Sequence, residues 1–461
     1  MAKRLPYSAP RLELITPRSM QKHRTVDISA AETVIDDVGD VKALLREFGS
    51  PLYILSEKVL RAQYRSFRDT FAAPGVDTVV AYSYKTNYLP AVCSILHQEG
   101  AWAEVVSGME YDLARSLGVP GAKIIFNGPY KRPEELARAI KEEALINVDN
   151  FDELDLLVSV AQNLGIEARM GLRINFQYGR QSWTKFGVNA DNGEALEALH
   201  RIKKAGRWLR FEALHNHSGT FQVNPDIYAR AAQVLIAIAK SARGLGLAPV
   251  IADFGGGYPS NNRLKPAFDV PGGSGSSGQF LAPFAEAIVG PLSKARKGFG
   301  ERPTLVLEPG RALVDTAFRL ACTVVARKNI AGQGEAVIVD AGVNLVPTAY
   351  WYDHGINAAS NKEPQATQAA KPVAVFGPLC MQVDVLRERA VLPNMSLGSP
   401  LIISNVGAYC ITQSMQFIQP RPAVVVVGPH GVEVIRRRET RSDIFGMDSI
   451  PPRLRGKGAT F

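Results

Sequence analysis

VVAYSYKTN (residues 79–87) is an apolar, β-branched run that ends on Lys85 just before a Thr-Asn break. A charged ammonium at the dry end of a strand is costly unless it is paired or loses its proton. A lysine that snorkels to solvent explains this stretch taken alone. The rest of the chain decides between that and a functional amine.

Working outward, the run is the first of eight. The others are WAEVVS (102–107), IIFNG (124–128), LINVD (145–149), EARMGLRIN (167–175), FEALHNH (211–217), PVIADFGG (249–256) and PTLVLEPG (303–310). Helical patterns separate them, among them KRPEELARAIKEEA, where Pro133 suits a first helical turn, and DIYARAAQVLIAIAKSA. Short strands that alternate with helices specify parallel pairing through helical crossovers, and eight such units predict a TIM-type (β/α)8 barrel. After residue 311 strand-like runs follow one another with little helix between them, which predicts a mostly antiparallel C-terminal β domain. The expected division is an N-terminal segment over 1–50 that adds to the β domain, a barrel over 51–311 and a β domain over 312–461. The Gly/Ser/Pro-rich stretch 262–280 reads as a surface loop, and its GGSGSSG as linker rather than phosphate loop.

The chain has 461 residues, enough for two cores, and 46% hydrophobic content supports both. No apolar stretch is long enough for a membrane span, and the first 25 residues lack a signal-peptide core, so the expected location is cytoplasmic and membrane partners are excluded. Four cysteines without CxxC spacing suggest neither structural zinc nor a disulfide framework. The net charge of +9 is gathered toward both ends, in solvated runs without a nucleic-acid motif, which argues against a nucleic-acid partner.

Barrels of this kind place their chemistry at the C-terminal ends of the strands. There stand Lys85, Arg173, His217, the glycines 255–257 including Gly256 and Gly257, and Glu308-Pro-Gly310-Arg311. Singly each has a bland explanation: a core ion pair, a satisfied histidine, a tight turn. On one rim they fit an aldehyde cofactor with a phosphate. A lysine of depressed pKa forms a Schiff base, glycines let the backbone approach phosphate, Arg311 pairs with it, and a carboxylate keeps a pyridine nitrogen protonated. That set describes pyridoxal 5'-phosphate.

Over about residues 45–450 the chain resembles the fold-type III pyridoxal-phosphate decarboxylases, the group of ornithine, arginine and diaminopimelate decarboxylases with an alanine-racemase-like barrel. The resemblance implies that Lys85 of YSYKTN is the Schiff-base lysine and that His217 of LHNHSGT stacks on the cofactor ring. It places Arg173 near the 3'-oxygen, Glu308 on the pyridinium nitrogen, and Thr220, Gly257, Gly310, Arg311 and Tyr409 around the phosphate. FGPLCMQVD matches a segment whose cysteine, here Cys380, enters the active site from the partner subunit and protonates the substrate carbon. A homodimer with shared sites is implied. Two departures bear on the amino-acid substrate. Met381 stands where relatives carry an acidic residue, and Pro347 and Thr348 occupy the region of the arginine that diaminopimelate decarboxylases use. Asp353 of WYDH remains a candidate contact for a distal amine. The expected activity is decarboxylation of the α-carboxylate of an amino acid or its conjugate. Diaminopimelate decarboxylase proper is the first alternative, and a racemase or a silent binding protein on the same fold are further ones.

Overall fold

The computed structural model describes residues 39–178, 185–265, 281–331, 334–359 and 370–458. Most of the expected surface loop, 266–280, lies outside the described residues, as does the basic N-terminal stretch.

The chain first forms helix Val41–Phe48, capped by the Asp40 carboxylate, and then strand β1 (Leu52–Ser56). The barrel strands follow: β2 (Asp77–Ser83), β3 (Trp102–Val105), β4 (Ile124–Phe126), β5 (Leu145–Val148) and β6 (Ala168–Asn175). A two-residue strand β7 (Val188–Asn189) sits at the edge, before β8 (Leu209–His215), β9 (Ile251–Asp253) and β10 (Thr304–Leu307). Pairing is parallel throughout, and β5 with β6 together with β10 with β2 close the ring of eight. Each expected run overlaps one barrel strand, with β2 and β8 each starting two residues before their runs. The strands are buried on both faces, so their sequences read as continuous apolar runs. Ala81, Ile125, Leu145, Ala213, Ile251 and Val306 form one cluster from six barrel strands, small and branched residues that fill its interior.

Local signals set the crossovers. Ser56 caps helix Glu57–Thr70 through the Val59 N–H, Pro133 opens helix Pro133–Lys141, and Asn150 caps helix Phe151–Leu164, which ends at the left-handed Gly165. The long helix Asp226–Gly244 buries Tyr228, Leu235 and Ile238 against the barrel.

The second sheet contains β11 (Phe318–Ile330), β12 (Gly334–Val339), β13 (Ile356–Ala358), β14 (Lys371–Phe376), β15 (Val385–Leu392), β16 (Pro400–Ser404), β17 (Ala423–Gly428) and β18 (Gly431–Arg436). Its main path is β15-β14-β12-β11-β1-β17-β18. It is mostly antiparallel, with β1–β17 and β12–β14 parallel. The N-terminal strand of this sheet, β1, lies just beyond residue 50, inside the stretch assigned to the barrel from sequence. Helix Val41–Phe48 covers it, packing Val41 and Leu44 near Leu52, Ile54, Ala321 and Val425. Thus both ends of the described chain serve the β domain, and the barrel is threaded between them.

Candidate active site

The barrel strands stop short of the chemistry. β2 ends at Ser83, and Lys85 sits in the 3-10 turn Tyr84–Thr86. β8 ends before His217, β9 before Gly255, and β10 before Glu308. Leaving the ladder frees these residues to turn over the barrel mouth, where Lys85, His217 and Glu308 line a cavity of about 870 Å³.

Lys85 Nζ donates to Glu104 Oε2 at 2.5 Å. Burial works against the ammonium, but Glu104, and after it Tyr409 and Glu308, outweigh it and raise the Lys85 pKa. The depressed lysine expected from the sequence is therefore corrected: β3 supplies a buried carboxylate opposite the amine, which the sequence reading missed. The Lys85 turn is gripped from the β domain. Thr412 Oγ1 donates to the Lys85 carbonyl at 3.0 Å, the Tyr409 N–H to the Thr86 carbonyl at 2.9 Å, and Asn87 Nδ2 to the Gly407 carbonyl at 3.0 Å. Tyr409 takes a φ of +65° to make that contact, a left-handed conformation that a side-chain-bearing residue holds only when its surroundings enforce it.

Glu308 lies at the other end of a buried polar floor. Asn127 Nδ2 donates to its Oε1 at 2.7 Å, and His215 Nε2 is 3.5 Å from its Oε2. Burial pushes the Glu308 carboxyl up, yet His215, Lys85 and Asn127 together hold it well below the usual carboxylate range. The neighbouring Asp253 is driven the other way, raised first by burial and then by the Glu308 charge. The two carboxyls are thus pushed apart, the usual division for two that share a dry site. The donor atoms of His215, Asp253 and Glu308 converge within 4.8 Å, a spacing that could hold a cation.

His217 is held neutral, first by burial and then by Arg173 and Lys85, and its Nδ1 accepts the Gly256 N–H at 2.9 Å. Arg173 donates to Asp149 Oδ1 at 3.2 Å and lies 4.5 Å from the centroid of Phe186. Asp149 is itself fixed, its N–H bound by Glu153, which pairs with the fully buried Lys131 at 2.6 Å. Arg311 stands among the rings of Tyr352, Tyr409 and Phe221, at 4.6, 5.3 and 5.6 Å, with Asp315 at 3.4 Å.

A phosphorylated pyridine aldehyde fits these residues. Buried Nε of Arg311 has no partner among the described residues. A Cβ on Gly257 would meet the Gly219 carbonyl at 2.3 Å, one on Gly256 the Glu308 carbonyl at 2.5 Å, and one on Gly310 the Thr86 hydroxyl at 1.9 Å. These three positions have no room for a side chain, so only backbone can approach an anion there.

Of the thirteen candidate residues, ten line the cavity: Lys85, Arg173, His217, Thr220, Gly256, Gly257, Glu308, Gly310, Arg311 and Tyr409. Asp353, Cys380 and Met381 do not. Asp353 is half-buried and follows the cavity residues Trp351 and Tyr352, its N–H donating to the Arg263 carbonyl. Cys380 is exposed on a loop that Asp384 braces by accepting the N–H groups of Val343 and Leu379 at 2.8 and 2.7 Å. The sequence reading missed Glu104, Asn127, Asn147, His215 and Asp253. Their signal was present in each case as one polar residue within or near the end of an apolar run.

A (β/α)8 barrel with an amine, a buried carboxylate and an arginine beside close-packed glycines at its mouth is the arrangement of a fold-type III pyridoxal-phosphate enzyme. Residues 57–315 match the family model for the pyridoxal-dependent decarboxylase, pyridoxal binding domain. The diaminopimelate decarboxylase of Methanocaldococcus jannaschii is 30% identical over 452 residues, 93% of this chain and 98% of that protein. The diaminopimelate decarboxylase of Aquifex aeolicus is 30% identical over 413 residues, 87% and 91% of the two chains. A crystal structure of the M. jannaschii enzyme superposes with a TM-score of 0.80 at 29% identity, over 90% of this chain and 95% of that one. The chain belongs to the pyridoxal-dependent decarboxylase family, and its cofactor is pyridoxal 5'-phosphate. Among the described residues no helix is long and apolar enough to cross a membrane.

Proposed function

We propose that this decarboxylase removes the α-carboxylate of an amino acid or amino-acid conjugate whose distal group is uncharged. The supporting observation is the charge inventory of the cavity wall. Among the described residues its formal charges are Lys85, Arg173, Arg311, Glu104 and Glu308. Each is engaged: Lys85 with Glu104, Arg173 with Asp149, Arg311 with Asp315, Glu308 with His215 and Asn127. The remaining wall is aromatic and apolar at Tyr178, Phe221, Leu264, Trp351 and Tyr352, with the amides of Gln222, Asn224 and Gln413 between them. Among the described residues this wall offers no spare anion for a distal ammonium and no spare cation for a distal carboxylate. Met381, in place of an acidic residue, points the same way. An acylated distal nitrogen, or another neutral polar group, suits amides and rings.

Bound pyridoxal 5'-phosphate supplies the electron sink for the bond that breaks. Lys85 would be its covalent anchor, with Glu104 opposite Nζ to hold a proton there. Glu308 would hold the proton on the ring nitrogen. Neutral His217 would pack against the ring without adding charge, and Gly256, Gly257, Gly310, Arg311, Thr220 and Tyr409 would take the phosphate. After carbon dioxide leaves, Cys380 protonates Cα. That thiol is exposed and does not line its own cavity, so it acts on the site of a second copy in a homodimer with shared active sites.

The second reading is diaminopimelate decarboxylase proper, favoured by the names of the relatives. A screen of carbon dioxide release with product identification separates the two. The panel is ornithine, lysine, diaminopimelate and their distally acylated analogues. The proposal requires an acylated analogue to exceed every free diamino acid in kcat/KM by at least about tenfold, the worth of one missing charge-assisted contact. Diaminopimelate as the best substrate refutes it.

A further inference from the structure

Two carboxylates serve the cofactor site from opposite ends, Glu104 at the amine and Glu308 at the ring nitrogen, and one neutral side chain touches both. Asn127, the residue after β4, donates through Nδ2 to Glu104 Oε1 at 3.0 Å and to Glu308 Oε1 at 2.7 Å. Its carbonyl accepts from Asn147 Nδ2 at 2.8 Å, which fixes the amide orientation, and the same Nδ2 is 3.3 Å from Asp253 Oδ2. The second oxygen of Glu104 takes Lys85 Nζ, and that of Glu308 faces His215. A continuous polar chain thus runs from the reactive amine to the floor of the barrel, and Glu104, Asn127, Asn147, Asp253 and Glu308 are all buried along it.

We propose that Asn127 is a positioning residue that couples Glu104 to Glu308, holding the two carboxylates at fixed separation so that cofactor anchoring and ring protonation are set by one unit. The proposal rests on the cofactor reading above. A primary amide is the side chain this task needs, since it presents two donors to two acceptors and adds no charge. An aspartate there would face two like charges, and an aliphatic residue would leave both carboxylates short of a donor in a dry site. The other ionisable groups facing the pair are Lys85, Arg173, His215, His217, Asp253 and Tyr258 around Glu308, and Lys85, Arg173 and Glu110 around Glu104.

The test is pyridoxal-phosphate affinity of the full-length apo-protein across pH 3–9, read by quenching of tryptophan fluorescence, for wild type, Asn127→Leu and Asn127→Asp. Losing the shared donor makes the Glu308 carboxylate easier to protonate. In Asn127→Leu the acid limb of cofactor affinity should therefore move up by about one pH unit, the size of a tenfold change in proton affinity. Asn127→Asp should bind at least about tenfold more weakly at pH 8 and regain affinity as the pH falls, a slope opposite to wild type, because protonation of the third carboxyl relieves the repulsion. Wild-type affinity and slope in both variants, or a uniform loss with an unchanged pH profile, would overturn the proposal and leave Asn127 as mere packing. If either variant does not fold by circular dichroism, Asn127→Ser, which removes both amide donors without adding bulk, takes its place: an acid limb moved up as for Asn127→Leu supports the coupling, and an unmoved one overturns it. Failure of the wild-type protein to bind pyridoxal phosphate at any pH would instead sink the cofactor reading.

Discussion

Gly257→Ala tests whether backbone contact, rather than side-chain chemistry, builds the anion cradle. Gly257 sits at φ +96°, and its carbonyl accepts the Gln222 N–H at 2.8 Å, so the loop after β9 is pinned to the loop after β8. An added Cβ would lie 2.3 Å from the Gly219 carbonyl oxygen and 3.1 Å from the Tyr228 hydroxyl, which itself donates to the Gly256 carbonyl at 2.8 Å. The nearest obstacle is backbone, so no rotamer change relieves it, and the two loops must separate by roughly 1 Å to reach ordinary contact. Holding alanine at this φ costs about 1–3 kcal/mol, and the forced displacement a similar amount, for a total of roughly 2–6 kcal/mol. For a chain of this size that lowers the melting temperature of the apo-protein by about 2–6 °C. A cradle opened by roughly 1 Å should also weaken pyridoxal-phosphate binding by on the order of 100-fold, judging by what such misplacements cost elsewhere. Differential scanning fluorimetry and a fluorescence titration measure the two effects. Melting within about 1 °C of wild type together with cofactor affinity within about twofold would refute the reasoning, because the loop would then have absorbed a side chain that this packing forbids.

Replacing Glu308 by Gln keeps an acceptor for Asn127 but removes the anion facing His215, so kcat should fall by at least about 100-fold with KM little changed, as steady-state kinetics would show. Unaltered turnover would remove Glu308 from the ring nitrogen. Lys85→Ala and Cys380→Ala should each be nearly inactive, while an equimolar mixture allowed to exchange subunits should regain up to about a quarter of wild-type activity, the statistical yield of intact sites when each site draws the two residues from different chains. No recovery despite demonstrated subunit exchange would place Cys380 elsewhere. Acid should destabilise the apo-protein. His97, His217 and His354 are all kept neutral chiefly by burial, and an unfolded histidine binds a proton near pH ~6.5, so the unfolded state holds more protons below that pH and stability drops as the pH falls from about 7 to 5. His354→Gln should flatten that slope in urea titrations at stepped pH, and an unchanged slope would count against it.

The barrel was legible because its strands are covered on both faces and so appear as apolar runs, each punctuated at the end by a residue of another kind. Two strands of the second sheet were less so. β1 is only five residues long and follows a turn, and it was grouped with the barrel that follows it in sequence although it pairs with β11 and β17. β15 is an edge strand, and its Arg387-Glu388-Arg389 centre, which blunts the open edge, hides the alternation that marks a strand. In the site, residues with an outright chemical signature such as Lys85, His217, Glu308 and Arg311 could be named from sequence. Asn127 and Asn147 could not, since an amide at a short apolar run reads as a turn residue until the closed barrel turns it inward. The Lys85 pKa was misjudged for the same reason: the apolar run foretold burial, but the partner that reverses its effect sits on the neighbouring strand.

Why an apolar strand should end in lysine now has a physical answer with three parts. Desolvation alone would make the Lys85 ammonium untenable, and Glu104 makes it stable. Asn127 donates to the other oxygen of Glu104 and so holds that carboxylate in place. The β domain fixes the turn that carries the amine, through the Tyr409 and Thr412 contacts to the Thr86 and Lys85 carbonyls. The same segment bends at Gly407, where a Cβ would fall 1.8 Å from the Val314 carbonyl, at the end of the Arg311 helix. One stretch of the second domain therefore registers the amine end of the site against its anion end. A barrel cut away from that domain would keep its strands and most of its cavity-forming residues, yet lose the distance between Lys85 and Arg311 on which a cofactor held at both ends depends.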